Sequence, residues 1–248
     1  MHRFFVPKDQ IPIITGSDAH QIKDVLRLKA GDKLELLDGT GKSFLSKITK
    51  IKSNEILCEV LEQSTPNSEL RTQVTLAQCL PKAKKMDLII QKCTELGVHK
   101  IIPTLSERSI AKGEKLERWK KIAKEAAEQS GRSTIPEVSP LAKFEDVLKL
   151  KNNYDLCLIP WELEKETTLK KVLTNDQTNK LSTHPTNKLS NYPTNKLIVL
   201  IGPEGGFSQK EIALAKKAGF TSISLGQRIL RTETAGLAMM AMITYELE

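Results

Sequence analysis

The sequence predicts an α/β protein in which a small all-β N-terminal domain precedes a mainly parallel sheet covered by helices on both faces. Three observations carry that expectation. The first seventy residues read as short strands cut by glycine turns; from Val74 onward strands alternate with longer helical patterns; and those helices carry recognisable stops and caps.

In the first part, "RFFV" is a strand, "AHQIKDVLRL" a helix, and "DKLELLD", "SFLSKITKIKS" and "EILCEVLE" are strands separated by "KAGD" and "DGTGK". Gly31, Gly39 and Gly41 mark tight turns, and Asp38-Gly39 is a hairpin signal, so a small β-barrel follows. The polar connector "STPNSELRT" (64–72) divides the chain into expected domains 1–70 and 71–248.

Beyond it, "VTLAQCL" is a strand, "KMDLIIQKCTELG" a helix stopped by Gly97, "VHKIIPT" a strand, and "KLERWKKIAKEAAEQSG" a helix stopped by Gly131. Strands "YDLCLIP" and "KLIVLIG", a helix over 209–218, a strand "SISLG" closed by Gly226 and a final helix over 233–247 complete the alternation. Residues 178–197 repeat an eight-residue unit, "TNKLSTHP TNKLSNYP TNKL"; with one leucine per unit it offers no buried face and reads as a low-complexity surface insertion.

Composition narrows the function classes. The longest aliphatic run, Leu197 to Ile201, is far short of the roughly 20 residues that cross a bilayer. The N-terminus lacks the apolar core of a signal peptide, so a cytoplasmic protein is expected. Cys58, Cys79, Cys93 and Cys157 form no C-x-x-C pair, His2, His20, His99 and His184 show no ligand spacing, and no metal is expected. Net charge is +8, and residues 71–150 hold sixteen basic against ten acidic side chains, a distribution that suits a polyanion.

Two loops carry the chemistry. In "LIGPEGGFSQKE", Ser208 and Glu211 have capping-box spacing, so a helix starts there and "GPEGG" is a strand-to-helix loop at the C-terminal edge of a parallel sheet, where open α/β folds bind ligands. The glycines are followed by Phe207 rather than Lys-Ser/Thr, and Gly202, Gly205 and Gly206 do not spell G-x-G-x-x-G, which weakens both common nucleotide readings. In "SLGQRILRTETAGLAMMAM", Arg228 and Arg231 flank two aliphatics, and the helix that follows presents Leu237, Met240, Ile243 and Leu247 on one face, as core or subunit interface.

Taken in order, "LIGPEGGFSQKE" and "ISLGQRILRTETA" resemble the RsmE family of ribosomal RNA methyltransferases, within the SPOUT superfamily. "HRFF", "VLRLKAGD", "KCTELGVHKIIP", "ERSIAK" and "ERWKKIAKEAAEQSGR" fit the same family, so the resemblance covers nearly the whole chain. Two features depart from it: His20-Gln21 stands where the family often has two histidines, and the octapeptide repeat is foreign to the pattern.

The resemblance implies a PUA-like N-terminal barrel, a SPOUT-type trefoil knot in the C-terminal domain and S-adenosylmethionine as methyl donor. Carried onto this chain, the donor's loops are Pro160 and Glu162; Ile201, Gly202, Pro203, Glu204, Gly205 and Gly206; and Leu225, Gly226, Arg228, Ile229 and Leu230, with Thr234 and Ala235 beyond. Glycine would let the adenine reach the backbone. The implied reaction is methylation at N3 of a specific uridine in 16S rRNA, free or in the small ribosomal subunit, with other SPOUT chemistry at a ribose 2′-oxygen, or RNA binding without catalysis, as rivals. Uridine N3 must lose its proton, and an arginine can stabilise the resulting anion without titrating. Arg132 is the candidate for that role or for a phosphate clamp, and Glu204 and Glu233 are the acidic candidates. His2, Arg3, Arg27, Lys29, Arg108, Ser109 and Arg231 are the expected RNA contacts. A homodimer is implied, with the apolar stripe of helix 233–247 to serve it.

Overall fold

The computed structural model describes residues 1–65, 72–82, 85–110, 113–175 and 196–247. The chain divides into two compact units, Met1–Glu69 with Lys124–Ile135, and Leu70–Ala123 with Pro136–Glu248.

In the first unit, strands β1 (Arg3–Phe5), β2 (Ile13–Thr15), β3 (Lys33–Leu37), β4 (Ser43–Ile51) and β5 (Glu55–Ser64) form one sheet in the order β1-β3-β4-β5-β2. β1 runs parallel to β3 and the other pairs are antiparallel. Alternation does the folding: Leu34 and Leu36 of β3 are buried with Phe4, Ile14, Ile48 and Ile56 in a single core. The Asp38 carboxylate accepts from the Thr40 amide, the Thr40 hydroxyl and the Lys42 amide, which closes the β3–β4 hairpin. Between β2 and β3 the expected helix is shorter than its pattern: α1 (Gly16–His20) runs into a π-helical turn, Gln21–Val25, and Arg27 at φ +54° ends it. β2 itself is unexpected, because three residues bounded by a proline carry too little alternation to read.

The elements that follow are β6 (Gln73–Cys79), α2 (Lys85–Glu95), β7 (Lys100–Leu105), α3 (Leu116–Ser130), β8 (Glu137–Val138), β9 (Ala142–Lys143), α4 (Phe144–Lys149), β10 (Leu156–Pro160), α5 (Leu169–Asn175), β11 (Lys196–Ile201), α6 (Gln209–Lys217), β12 (Thr221–Ile223) and α7 (Thr232–Leu247), all in the second unit except α3 from Lys124 on, which belongs to the first. The sheet order is β12-β10-β11-β6-β7-β8, with β9 also on β7, and every pair is parallel. β6 and β11 lie in the middle and are buried on both faces after their first residue, which is why both read as continuous apolar runs. Helices form two separate cores, α2 and α7 on one face and α4 and α6 on the other. The threading that a knot requires depends on the path of 176–195, and most of the octapeptide repeat lies there too, outside the described residues.

Three expectations are corrected. The strand "SISLG" stops at Ile223, and Gly226, at φ +103°, belongs to the loop beyond. β8, β9, α4 and α5 are additional, each too short for a periodic signal. The stripe reserved for a dimer is spent on the core: Met240 and Ile243 are fully buried among Met86, Ile89 and Ile90 of α2, and Leu237 and Leu247 pack on the same cluster. Accordingly Ile243→Ala should lower the unfolding free energy by about 2–5 kcal/mol with an unchanged m-value, read by urea titration; a loss below a few tenths would place Ile243 outside the core.

Candidate functional site

Parallel strands end at one edge of their sheet, and three loops leave that edge: Trp161–Thr168 after β10, 202–208 after β11 and 224–231 after β12. Between them lies a cleft of about 410 Å³, within the usual range for a small-molecule site. Each loop is held from outside the cleft by polar contacts.

After β10, the Trp161 amide donates to the Ile223 carbonyl at 3.0 Å, tying this loop to β12. Glu164 turns the chain back: its carboxylate accepts from the Ser222 hydroxyl at 2.6 Å and from the Glu166 and Thr167 amides at 3.2 Å. The Ser222 hydroxyl is the largest cause, ahead of the opposing burial, and it draws the Glu164 carboxyl down to about 2.

After β11, the capping box is present as expected, with the Glu211 amide on Ser208 Oγ at 3.2 Å and the Ser208 amide on Glu211 Oε2 at 2.9 Å. Glu107 extends it from another loop. Its amide donates to Glu211 Oε1 at 2.8 Å, and Ser208 Oγ donates to its carboxylate at 2.9 Å. Arg108 beside it donates to the Gly205 carbonyl at 2.9 Å. Glu204 points to the start of α2, where Oε1 accepts from the Lys82 amide at 2.8 Å and lies 3.5 Å from Lys85 Nζ. Burial raises the Glu204 carboxyl, but the Lys82 amide, its own backbone and the Lys85 ammonium outweigh it, so it sits below the ordinary value. A carboxylate held in its charged form this way is a poor proton acceptor and a good anchor.

The glycines of this loop also serve packing. A Cβ at Gly202 would stand 3.1 Å from the Phe207 ring, one at Gly205 3.2 Å from the Arg108 side chain, and one at Gly206 3.0 Å from the Glu162 carboxylate. The glycines therefore admit neighbouring side chains against the loop backbone, and Gly206 in addition adopts φ +64°. The same loop is tied to α7 through Thr232, whose Oγ1 donates to the Gly202 carbonyl at 2.5 Å. Lys85 Nζ also lies 3.2 Å from Glu233 Oε2.

Of the residues expected at the methyl donor, all but Gly205 and Thr234 line this one cleft; Gly205 faces Arg108, and Thr234 is exposed on α7. Arg231, expected on the RNA side, lines it as well. Sequence reading missed Lys85, Trp161, Lys165 and Phe207, whereas Gln227 fell inside the expected donor segment 225–230 and Thr232 beside Arg231 on the expected RNA side. Trp161 sits next to an expected position and was within reach, whereas Lys85 comes from a lysine-rich run far upstream with nothing to mark it. Arg108 and Ser109 lie in the β7–α3 loop, with Ser109 Oγ bonded to the Ser106 amide at 3.0 Å.

Other expected residues fall in the first unit. His2, Arg27 and Lys29 are exposed. Arg3 pairs with Glu35 at 2.7 Å, and its guanidinium lies against Gly131, where a Cβ would be 2.5 Å away. Arg132 follows that glycine, only 3% exposed, its amide on the Ala127 carbonyl at 3.0 Å.

A parallel sheet covered by helices on both faces, with a loop-built cleft at its C-terminal edge, and a small β unit define an α/β ligand-binding protein with an additional β domain. Residues 68–244 match the RNA methyltransferase domain model and residues 14–61 the RNA methyltransferase PUA domain model. Ribosomal RNA small subunit methyltransferase E of Bacillus subtilis is 33% identical over 261 residues, covering 100% of this chain and 98% of its own. A crystal structure of ribosomal RNA small subunit methyltransferase E from Neisseria gonorrhoeae, bound to S-adenosyl methionine, superposes with a TM-score of 0.81 at 30% identity, covering 99% of this chain and 97% of that one. A putative methyltransferase from Legionella pneumophila, solved with the cofactor SAM, gives 0.82 at 28% identity over 99% and 97%. The chain belongs to the ribosomal RNA small subunit methyltransferase E family.

The depressed Glu164 carboxyl makes a pH prediction. Because its folded value of about 2 lies below the ordinary 4.5, its stabilisation is present above pH 4.5 and lost as the pH falls toward 2. Thermal melts of Glu164→Gln and the parent chain should differ at pH 7 and converge across that window; a difference independent of pH would contradict the assignment.

Proposed function

We propose that this chain transfers a methyl group from S-adenosylmethionine to N3 of a uridine in 16S rRNA. The observation that carries the reading is the convergence of three sequence-distant loops on one cleft whose walls suit that methyl donor. Ile201, Leu225 and Leu230 offer apolar surface for an adenine, the loop backbones offer hydrogen-bonding groups, and Glu162, Lys85 and Arg228 offer charges for an amino-acid terminus. When bound, S-adenosylmethionine supplies a methyl group on a sulfonium. The chain's part is to bind and orient it, exclude water, and assist loss of the N3 proton.

Glu204 is better suited to anchoring α2 against the cleft than to taking that proton, since Lys82 and Lys85 hold it ionised. Arg132 is proposed to stabilise the uridine anion, and Arg108, Ser109 and Arg231 to meet RNA, with His2, Arg3, Arg27 and Lys29 adding contacts from the small domain 1–70. A homodimer belongs to the same proposal. Leu88 on α2 and Tyr245 on α7 are the apolar side chains left outside on those helices, 43% and 84% exposed.

Nucleoside mass spectrometry of rRNA incubated with the protein and labelled methyl donor should find label in 3-methyluridine; label in a 2′-O-methylated nucleoside, or none, would overturn the assignment. For Arg132→Ala, turnover should fall on the order of a hundredfold or more, as for loss of one anion-stabilising group, while methyl-donor affinity and melting temperature hold. Loss of melting temperature in step with turnover would give this buried arginine to the fold instead.

A further inference from the structure

Gln78 is fully buried near the end of β6, opposite Ile201 of β11 in the sheet register. Its amide nitrogen donates to the Cys79 carbonyl at 3.0 Å and to Thr232 Oγ1 at 2.9 Å. The Cys79 bond fixes which end of the amide is nitrogen, because a carbonyl only accepts. With one lone pair taken by that nitrogen, Thr232 gives its own proton to the Gly202 carbonyl at 2.5 Å. One relay therefore runs from β6 through Thr232 to Gly202, and its last two members line the cleft from opposite loops.

The other end of the amide is less comfortable. Gln78 Oε1 meets no hydrogen-bond donor among the described residues, and it occupies the space of a Cβ at Gly236, which would stand 2.8 Å away. A buried acceptor without a partner costs stability that an apolar side chain of similar length would not. Packing alone thus gives no reason for glutamine here, and the glycine at 236 is required only to make room for it. What glutamine supplies that methionine cannot is two amide hydrogens, one for the Cys79 carbonyl and one that sets the polarity of Thr232.

We propose that Gln78 is a positioning residue for the methyl donor: by directing the Thr232 hydroxyl onto Gly202, it sets the spacing of the 202–206 and 225–232 segments without touching the bound molecule. Removing the amide frees the Thr232 hydroxyl to rotate, and the Gly202 carbonyl loses the bond that holds its loop against α7. The proposal rests on S-adenosylmethionine occupying the cleft.

The test measures calorimetric affinity for S-adenosylmethionine and melting temperature in the full chain and in Gln78→Met, Thr232→Val, Thr232→Ser and the Gln78→Met/Thr232→Val double variant. Gln78→Met and Thr232→Val should each weaken affinity by about tenfold, the worth of one such bond, with the Gln78→Met melting temperature unchanged or raised. Thr232→Ser, which keeps the hydroxyl, should lose less affinity than Thr232→Val. The double variant should lose no more than either single one, since both cut the same relay. Parent-like affinity in Gln78→Met, or losses that add in the double variant, would overturn the proposal while leaving the binding site intact. If Gln78→Met does not fold, Gln78→Leu takes its place, and parent-like affinity in that variant overturns the proposal. A parent chain that takes up no S-adenosylmethionine would instead overturn the reading of the cleft itself.

Discussion

The parallel pairing of β11 with β6 is the constraint on which the rest of the second unit depends. Six consecutive residues are in register, from Lys196 opposite Gln73 to Ile201 opposite Gln78. Because both strands are buried on both faces, a slip of one residue would move every side chain into the wrong core. The register ends with Ile201 beside Gln78, so the turn into Gly202 begins next to the amide that also holds Thr232. The edge of the sheet, the glycine loop and the start of α7 are thereby placed by one ladder.

What shapes the cleft is mostly side chains reaching over from other segments. Glu107 and Arg108 come from the β7–α3 loop to brace the capping box and Gly205. Glu204 reaches toward α2, and Lys85 returns from α2 to both Glu204 and Glu233. These contacts are partly exposed, and individually each contributes little. Together they cross-link loops that have few apolar contacts of their own, which is how a site built from coil can keep a defined shape.

Legibility in the sequence followed the range of the signal. The Ser208–Glu211 box, the Gly131 stop and the apolar runs of β6 and β11 were readable because each depends on residues within a turn or a strand of one another. The ordered motifs around Gly202 and Gly226 carried the family, and with it most of the residues that line the cleft. Contacts at longer range were not readable. The missing Cβ atoms of the glycines also make room for Phe207, Arg108 and Glu162, neighbours that no local pattern announces. The α7 stripe was read as core or subunit interface, and a helix of nearly uniform hydrophobicity does not say which until α2 is packed against it.

By itself the sequence determined the alternation of strand and helix, the place where α6 begins and the family to which the loops belong, because local hydrogen bonding and side-chain period act over a few residues. The tertiary structure alone decided which distant residues meet: Gln78 with Thr232 across 154 positions of chain, and Lys82 with Glu204 across 122. Neither glutamine nor lysine carries a local mark of such a partner. Their roles exist only once the sheet register has brought the strand ends to one edge.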